Sequence, residues 1–150
     1  MNEVGCMTNS QAGASRTPRM VLDRYHRAML DKSADDLADL YAVDAEHEFP
    51  FSAPGFPARF AGREAVRAGY RAAWGASPLR VKEIKDVVVH VSDDPRTVIA
   101  GHVVVVQTAA GDRAAVPGLL IIDVHDGLIT RVRDYMDALA VARVAGVSGA

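Results

Sequence analysis

Apolar residues recur at helical spacing in three segments of the N-terminal half of the chain. A Thr-Pro pair, an N-cap followed by a favoured first helical residue, opens the pattern that predicts a helix over 18–31. A capping-box pattern opens a second, short helix at Ser33, and its apolar positions extend to Leu40 and Tyr41. Helical spacing returns over 62–74. The first half of the chain is therefore predicted to contribute three helices.

Alternation of apolar and polar residues indicates strands in the remaining segments. One strand is predicted over 45–51, and a loop rich in Pro and Gly follows over 52–61. Four longer strands, separated by turn sequences, are predicted over 79–92, 97–108, 113–124 and 128–135. Pro117-Gly118 marks a bulge or an edge position, and 136–144 closes the chain as a short helix. Helices followed by long hairpins predict an α+β fold, with the helices on one face of a curved antiparallel sheet.

The composition is typical of one globular domain. Hydrophobic residues make up 49% and charged residues 24% of the chain, which excludes a disordered or collagen-like protein. We expect a disordered tail over 1–16 and a single domain over 17–150, and the lone Cys6 cannot form an internal disulfide. A net charge of -2 gives no positive field for nucleic acid. Because no apolar run suits a membrane span or a secretory signal, we expect a cytoplasmic protein without nucleic-acid or membrane partners.

Several short motifs occur in an order that resembles the nuclear transport factor 2-like superfamily, especially its ketosteroid isomerase-like and SnoaL-like branch. The resemblance covers residues 18–145. The motifs are Asp35-Leu37-Leu40-Tyr41 with Asp44-Ala45, Gly62-Arg63-Glu64-Ala65-Val66, and Gly127-Leu128-Ile129 before Arg133-Asp134-Tyr135. The resemblance implies a cone-shaped fold, in which a curved antiparallel sheet wraps around three N-terminal helices and encloses an apolar pocket. It also implies dimers formed through the outer face of the sheet.

The residues of the steroid isomerase mechanism are mostly missing from this chain. The general base of those enzymes lies in a Glu-Asp-Pro sequence, and Phe49 replaces that Asp in the matching run Glu48-Phe49-Pro50. The second acid falls at Val116, and only the tyrosine of the first helix is matched, by Tyr25. Ketosteroid isomerase is the standard example of a base that works beside a neutral carboxylic acid. Since both carboxyls are absent, we do not expect that mechanism.

Two other branches of the superfamily place candidate acids differently. Limonene epoxide hydrolases resemble the C-terminal segment, but their Asp-Arg-Asp system would need an Arg at Gly101 and an Asp at Val103. SnoaL-like polyketide cyclases place their catalytic acid in an Arg-Asp-aromatic sequence, which carries that role over to Asp134. Their accessory His would fall near Leu120. The resemblance therefore implies one acid, Asp134, without its usual helper.

Asp134 is the strongest catalytic candidate from the residues themselves. By alternation it shares a face of its strand with Val132, so it faces the core if Val132 does. A carboxyl group among apolar neighbours is suited to general acid or base catalysis. The alternative is a structural Asp that caps the final helix or pairs with Arg63.

Two further residues are candidates for the same cavity. His47 is in phase with Phe49 and could act as a proton shuttle, or it could be a rim histidine hydrogen-bonded within the sheet. Tyr25 faces the core of the first helix, and its hydroxyl needs a partner when buried. That partner is either a ligand oxygen or a backbone carbonyl.

Apolar and aromatic residues are predicted to line the pocket, and those on the Pro-rich loop to cover it. The predicted substrate-binding residues are Phe49, Phe51, Phe56, Phe60, Trp74, Val103, Val116 and Leu120. His102 is predicted on the outer sheet face, and a surface role is predicted for His26, His90 and His125. No metal-ligand spacing joins the histidines, so no metal is expected. The sheet's outer face, to which we assign Val104 and Val106, is predicted to bury its apolar residues in a homodimer.

We therefore expect a cofactor-free isomerase or cyclase that moves a proton on a hydrophobic, oxygenated small molecule such as a polyketide- or steroid-like ring. Asp134 would move the proton, Tyr25 would bind a carbonyl oxygen, and His47 would assist. A module that binds hydrophobic ligands or dimerises without catalysis is the alternative. An epoxide hydrolase ranks below both.

Overall fold

The computed structural model describes residues 16–51 and 53–146, so Cys6 and the predicted tail, except its last residue, lie outside the described residues. The described residues form helices and strands in the order expected for the α+β fold. The helices are α1 (Pro18–Asp31), α2 (Ala34–Ala38), α3 (Arg63–Ala76) and α4 (Ala138–Val144). The strands are β1 (Tyr41–Glu48), β2 (Arg59–Ala61), β3 (Arg80–Val91), β4 (Thr97–Gln107), β5 (Arg113–His125) and β6 (Leu128–Met136). None of the described helices is both long and apolar enough to cross a membrane.

Helix α1 has the predicted bounds, and both of its ends are fixed by specific contacts. The Thr17 hydroxyl accepts a hydrogen bond from Met20 N at 3.2 Å, as an N-cap does. Lys32 is the C-cap that follows the last helical residue, and its backbone adopts the left-handed conformation with φ of 48°. The Lys32 ammonium donates to the carbonyl oxygens of Ser77 and Leu79, at 3.3 and 2.8 Å. This contact ties the end of α1 to the segment that follows α3.

The start of the sheet differs from the sequence prediction. Helix α2 ends at Ala38, and Tyr41 begins β1 instead of continuing the helix. The reason is tertiary, because Leu40 O accepts a hydrogen bond from Ile129 N and Tyr41 pairs with Ile129 in β6. The predicted loop over 52–61 also contains a strand, since β2 pairs with β1 as an antiparallel neighbour. Apolar spacing alone cannot distinguish a short helix from a strand in such a segment.

The six strands lie in the order β2-β1-β6-β5-β4-β3. The neighbouring strands are antiparallel as predicted, except that β1 runs parallel to β6. The β4–β5 register runs without a shift past Pro117, so the bulge alternative is wrong. The edge alternative is confirmed, because β5 pairs with β6 only from Gly118 onward. At Pro117, strand β5 therefore has only β4 as a neighbour. A proline, which has no N–H to donate, is tolerated at such an edge position.

The helices cover one face of the sheet, which we call the inner face. Its central positions on β4, β5 and β6 are Ala100, Leu120 and Val132, all at most 2% exposed. Helix α4 covers the far end of the same face, where it packs with Val106 and Val116. The core also includes Val21, Leu22, Tyr25, Leu37, Tyr41, Val66, Ile122 and Ile129.

The predicted outer placement of Val104 and Val106 is wrong. Both residues pack in the cluster beneath α4, on the same face as His102. The sequence has four consecutive valines from Val103 onward, and such a run carries no alternation that could reveal which members face inward. The orientation is set by the pairing of β4 with β5, which places Val104 opposite the buried Val116.

Candidate active site

A cluster of hydrogen-bonded polar side chains lies within the inner face of the sheet. The Asp134 carboxylate oxygen Oδ2 is 3.2 Å from His47 Nε2 and 3.3 Å from the Tyr70 hydroxyl. The same His47 nitrogen lies 3.0 Å from the Tyr70 hydroxyl, and the other ring nitrogen, Nδ1, lies 2.7 Å from the Tyr41 hydroxyl. These contacts join residues from β1, α3 and β6 into one network.

The parallel pairing of β1 and β6 brings the acid and the imidazole together. His47 pairs with Val132, and Asp134 lies two residues further along β6 on the same face. The pairing shifts between Tyr41 and Glu46, and Tyr41 and His47 both remain fully buried. The irregular start of β1 thus leaves both side chains of this strand inside the fold, within hydrogen-bond distance of each other.

One arrangement of protons satisfies the whole network when Asp134 is ionised. The Tyr41 hydroxyl donates to His47 Nδ1, and the N–H at Nε2 then donates to Asp134. The Tyr70 hydroxyl donates to the same carboxylate oxygen. In this arrangement Tyr41 holds the imidazole in the tautomer that supports the Asp134 carboxylate, in the way that a third group orients a catalytic histidine.

The three tyrosines of this region remain protonated near neutral pH. Burial raises the pKa of the Tyr25 hydroxyl well above its usual value, and the neighbouring acidic groups of Tyr70 and Asp134 raise it further. Burial is also the main reason that the pKa values of Tyr41 and Tyr70 are raised, and Asp134 adds to both effects. Tyrosine hydroxyls in this state can donate hydrogen bonds but do not act as bases.

Asp134 is the member of the pair that reaches open space. Its side chain is 15% exposed, whereas the His47 side chain is 0% exposed. Among the described residues, both hydrogen bonds to Asp134 end on Oδ2, which leaves Oδ1 for another partner. The structural alternatives for Asp134 do not hold, because Arg63 Nε instead donates to Tyr41 O and Asp137 caps α4.

Aromatic rings surround the polar cluster on the β1 and α3 side. The His47 ring centre lies 4.7 Å from that of Phe49, and Phe49 meets Phe60 edge to face at 5.6 Å. Phe60 lies directly against α3 at Gly69, where a Cβ atom would come within 2.4 Å of the ring. Glycine at that position allows this close approach. The centre of the Phe60 ring then lies 5.9 Å from the centre of the Tyr70 ring.

Comparison with known proteins supports the fold and indicates a family. Residues 22–132 match the family described as the SnoaL-like domain. The chain belongs to the SnoaL-like family. It is 29% identical over 132 residues to the uncharacterized protein YesE of Bacillus subtilis strain 168, covering 85% of this chain and 86% of that protein.

Solved structures are similar to this SnoaL-like chain over most of their length. A candidate isomerase from Bacillus subtilis superposes with a TM-score of 0.78 at 26% identity, covering 87% of this chain and 94% of that one. A candidate polyketide cyclase from Pseudomonas putida KT2440 gives a TM-score of 0.67 at 20% identity, covering 85% and 97%. The second likeness shows the fold alone. The α+β cone expected from the sequence is thereby confirmed.

Several predicted pocket residues of the SnoaL-like chain do not lie near Asp134. Val103 lies on the opposite face of β4 from His102, so its assignment to the pocket is wrong. Phe51 is 67% exposed and stacks on Tyr135, also away from the cluster. Val103 was assigned wrongly because the run of four valines gives no clear alternation. Phe51 was assigned wrongly because β1 ends at Glu48, so the strand alternation does not extend to residue 51.

The other predicted pocket residues are spread over the interior and its rim. Leu120 is 2% exposed and pairs directly with Asp134 across β5 and β6, whereas Val116 lies beneath α4. Phe56 is partly buried in the loop before β2. Trp74 packs on Tyr70 at 4.7 Å between ring centres and also lines a surface cleft of about 340 Å³ between the start of α2 and the end of α3. Phe49 and Phe60 therefore lie nearest the polar cluster.

Two histidines that were predicted at the surface are buried. His26 on α1 and His102 on β4 are 9% and 8% exposed, and His26 Nε2 lies 3.1 Å from His102 Nδ1. Burial, and then the neighbouring imidazole, lowers the pKa of His26 to about 4. Burial also lowers the pKa of His102. His102 faces inward because β4 carries Ala100 and His102 on the same face, in the opposite phase to the one predicted. His90 and His125 are exposed as predicted.

Sequence reasoning missed two members of the cluster, Tyr41 and Tyr70. Tyr41 was assigned to the apolar face of α2, and Tyr70 to the apolar face of α3. A signal was nevertheless present, because a tyrosine on a core-facing stripe needs a hydrogen-bond partner for its hydroxyl. Three such tyrosines and one in-phase histidine indicate a shared polar cluster.

Proposed function

We propose that this chain catalyses proton transfer on an apolar, oxygenated small molecule, as an isomerase or a cyclase, with Asp134 as the base. The contact that carries the proposal is the one between Asp134 Oδ2 and His47 Nε2 at 3.2 Å. It orients a carboxylate that is mostly buried but still 15% exposed. A base in this setting is held in place and can meet a ligand without being immersed in water.

The proposed step begins with a carbonyl compound whose carbonyl oxygen accepts a hydrogen bond from Tyr25. Asp134 removes a proton from the carbon next to that carbonyl, and the electron pair moves onto the oxygen to form an enolate. When the substrate carries a carbon-carbon double bond next to the deprotonated carbon, the enolate is conjugated with it, and the acid form of Asp134 then returns the proton to the far carbon of that double bond, which moves the double bond and completes an isomerisation. In a cyclase the enolate carbon instead attacks a second carbonyl group, whose oxygen takes up the proton. Hydrogen-bond donors aimed at the enolate oxygen stabilise the transition state.

His47 and Tyr41 have positioning roles in this proposal. His47 is hydrogen-bonded through both ring nitrogens, so it has no free nitrogen for the ligand. It holds Asp134 Oδ2, and Tyr41 holds His47 in the matching tautomer. The Asp134 oxygen Oδ1 is then the atom that takes the substrate proton.

The test is incorporation of solvent deuterium into cyclic ketones such as 2-tetralone, followed by NMR in D2O. The wild type is expected to accelerate exchange at the carbon next to the carbonyl. Tyr25→Phe should lower the rate constant by about 10²- to 10³-fold, because it removes one donor to the developing enolate oxygen. Tyr135→Phe is the matched control, since Tyr135 stacks on Phe51 away from the cluster, and it should exchange at the wild-type rate. Equal rates for both variants would contradict the proposed role of Tyr25.

A non-catalytic module that binds a hydrophobic ligand is the second candidate. The observation that favours it is the direct packing of Phe49, Phe60 and Tyr70 around His47, which fills much of the space on that side. Such a module would bind 2-tetralone without exchanging its protons. The deuterium experiment therefore separates the two functions.

We also propose a homodimer through the outer face of the sheet. Val103, Leu119 and Ile121 lie on that face, opposite in phase to the buried positions of β4 and β5. Next to Ile121, the Nε atom of Arg133 is buried and has no hydrogen-bond partner among the described residues. An acceptor from a second copy would satisfy this N–H.

Sedimentation or light scattering is expected to give twice the 16.0 kDa mass of one chain. Leu119→Glu should give the mass of one chain, because a charge in a buried apolar contact is costly. Val91→Glu serves as the control, since Val91 is 94% exposed at the end of β3. A monomeric wild type, or a dimeric Leu119→Glu protein, would contradict the proposal.

A further inference from the structure

A second polar pair in the interior takes no part in the proton transfer described above. His26 projects from α1 and His102 from β4, and their imidazoles are joined by the 3.1 Å contact between Nε2 and Nδ1. Both side chains are more than nine-tenths buried. The pair lies between the main core and the cluster beneath α4, on the face of the sheet that carries Asp134.

Stability alone gives no reason for this pair. Each imidazole loses most of its water contacts on burial, and the two share one hydrogen bond between them. A polar group buried without a full set of partners costs more than an apolar side chain of similar size in the same place. Within residues 16–51 and 53–146, the His102 side chain has no hydrogen bond except the one from Nδ1. Its Nε2 atom is therefore the group that needs an explanation.

The surroundings of His102 Nε2 leave this atom partly accessible. His102 pairs with Gly118 on β5, and its Nε2 atom lies 3.0 Å from the position that a Cβ atom on Gly118 would occupy. Because glycine has no side chain, the imidazole can lie over the backbone of β5 with this nitrogen uncovered. His102 retains 8% exposure, in keeping with an open nitrogen.

The register of the sheet fixes where His102 lies relative to Asp134. Ala100 pairs with Leu120, and Leu120 pairs with Asp134, so His102 lies two strands across and two residues along from Asp134. At standard strand spacings this places the two Cα atoms roughly 12 Å apart on one face. The Asp134 charge raises the pKa of His102 against the larger effect of burial.

We propose that His102 Nε2 is a second ligand contact, which hydrogen-bonds an uncharged oxygen at the end of the substrate remote from the carbon that Asp134 deprotonates. This inference rests on the proposed function, and it defines the substrate class as a ring system with an oxygen function at each end. An uncharged oxygen fits best because burial keeps both imidazoles neutral near pH 7. A carboxylate or phosphate would find no positive charge at this pair.

His26 acts as the positioning residue for this contact. When the His26 nitrogen Nε2 carries the shared proton, it donates to His102 Nδ1, and His102 then bears its own proton on Nε2. In that tautomer His102 donates to a carbonyl or hydroxyl oxygen. When the shared proton lies on His102 Nδ1, its Nε2 accepts from a hydroxyl group. The pair can thus meet either form of a neutral oxygen.

The test compares two ligands that differ in one remote hydroxyl group, 2-tetralone and 6-hydroxy-2-tetralone. Titration calorimetry on the wild type is expected to show about 10-fold tighter binding of the hydroxylated ligand. His102→Phe, which keeps a ring but removes both nitrogens, should reduce that preference to about 1-fold. His90→Phe is the matched control, because His90 is exposed on β3, and it should keep the full preference.

A second variant guards against a loss of folding in His102→Phe. His102→Gln retains a hydrogen-bonding group and should recover part of the preference, whereas His26→Leu should lower it without removing it. Thermal melting establishes that each variant is folded. A wild type that binds both tetralones equally, or fails to bind the hydroxylated one, overturns the inference. A His102→Phe protein that is folded and keeps the preference overturns it as well.

Exchange measurements on the same two ligands separate this inference from the proposed function. If the wild type prefers 6-hydroxy-2-tetralone but exchanges the protons of neither ketone, the contact with His102 stands and the proposed catalysis fails. If exchange depends on Asp134 while the hydroxyl preference is absent, the catalysis stands and the His102 contact is wrong.

Discussion

Asp134→Asn is expected to lower the rate constant of deuterium exchange by about 10²- to 10⁴-fold, the usual contribution of a positioned general base. The amide has nearly the shape of the carboxylate but cannot accept a proton at neutral pH. Its oxygen can still accept the hydrogen bonds from His47 and Tyr70, which lie 3.2 and 3.3 Å from Oδ2. The variant should therefore remain folded, and the measured loss should report on proton transfer.

Two measurements make this expectation decisive. Asp112→Asn changes an exposed carboxylate in the turn before β5 and should leave exchange at the wild-type rate. Thermal melting of Asp134→Asn should give a transition close to that of the wild type. A folded Asp134→Asn protein that exchanges ketone protons at the wild-type rate would falsify the assignment of Asp134 as the base.

Acidification from pH 7 to pH 4.5 is expected to lower the free energy of unfolding by about 2 to 3 kcal/mol through His26 alone. The pKa of His26 is about 4 in the folded protein, against an ordinary value of 6.5. Between these two values the unfolded chain binds a proton that the folded chain does not bind, so stability falls as the pH falls. Above pH 6.5 the histidine is neutral in both states and contributes no pH dependence.

The contribution of His26 can be isolated by comparing the wild type with His26→Gln in urea unfolding at several pH values. Burial and His102 lower the pKa of His26, and so does Arg19, whereas Asp23 raises it. The surface carboxylates with lowered pKa values, such as Asp35 and Glu48, lose their stabilisation in both proteins alike. The difference in unfolding free energy between the two proteins should shrink or reverse as the pH falls. A constant difference from pH 7 to pH 4.5 would show that His26 titrates normally.

The parts of the fold that follow from local chemistry could be predicted from the sequence. Helix α1 begins at a Thr-Pro pair and has its predicted bounds, and the four long strands differ from their predicted bounds by one residue at most at either end. Strand β1 spans Tyr41–Glu48 instead of the predicted 45–51, because the residues after α2 are apolar at a spacing that suits either a helix or a strand. What decided the outcome was the pairing of Tyr41 with Ile129, a contact between distant parts of the chain.

The candidate site could be predicted only where alternation had a clear phase. His47 and Asp134 lie on strands with interpretable alternation, and the structure brings them within hydrogen-bond distance, although their catalytic roles remain proposals. His102 lies beside an uninterrupted valine run, so its inward orientation was not readable. Tyr70 sits on a helix stripe that is equally consistent with ordinary core packing. Its role in the cluster depends on which strands face α3, which the sequence alone does not reveal.

The parallel contact between β1 and β6 has a consequence for the order in which the fold assembles. His47 and Asp134 are 87 residues apart in sequence, and they lie on the first and last strands of the sheet in chain order. Closing so large a loop is slow compared with forming the hairpins between them. A folding intermediate in which β6 has not yet paired with β1 would lack the contact between His47 and Asp134, so the polar cluster assembles only when the sheet is complete.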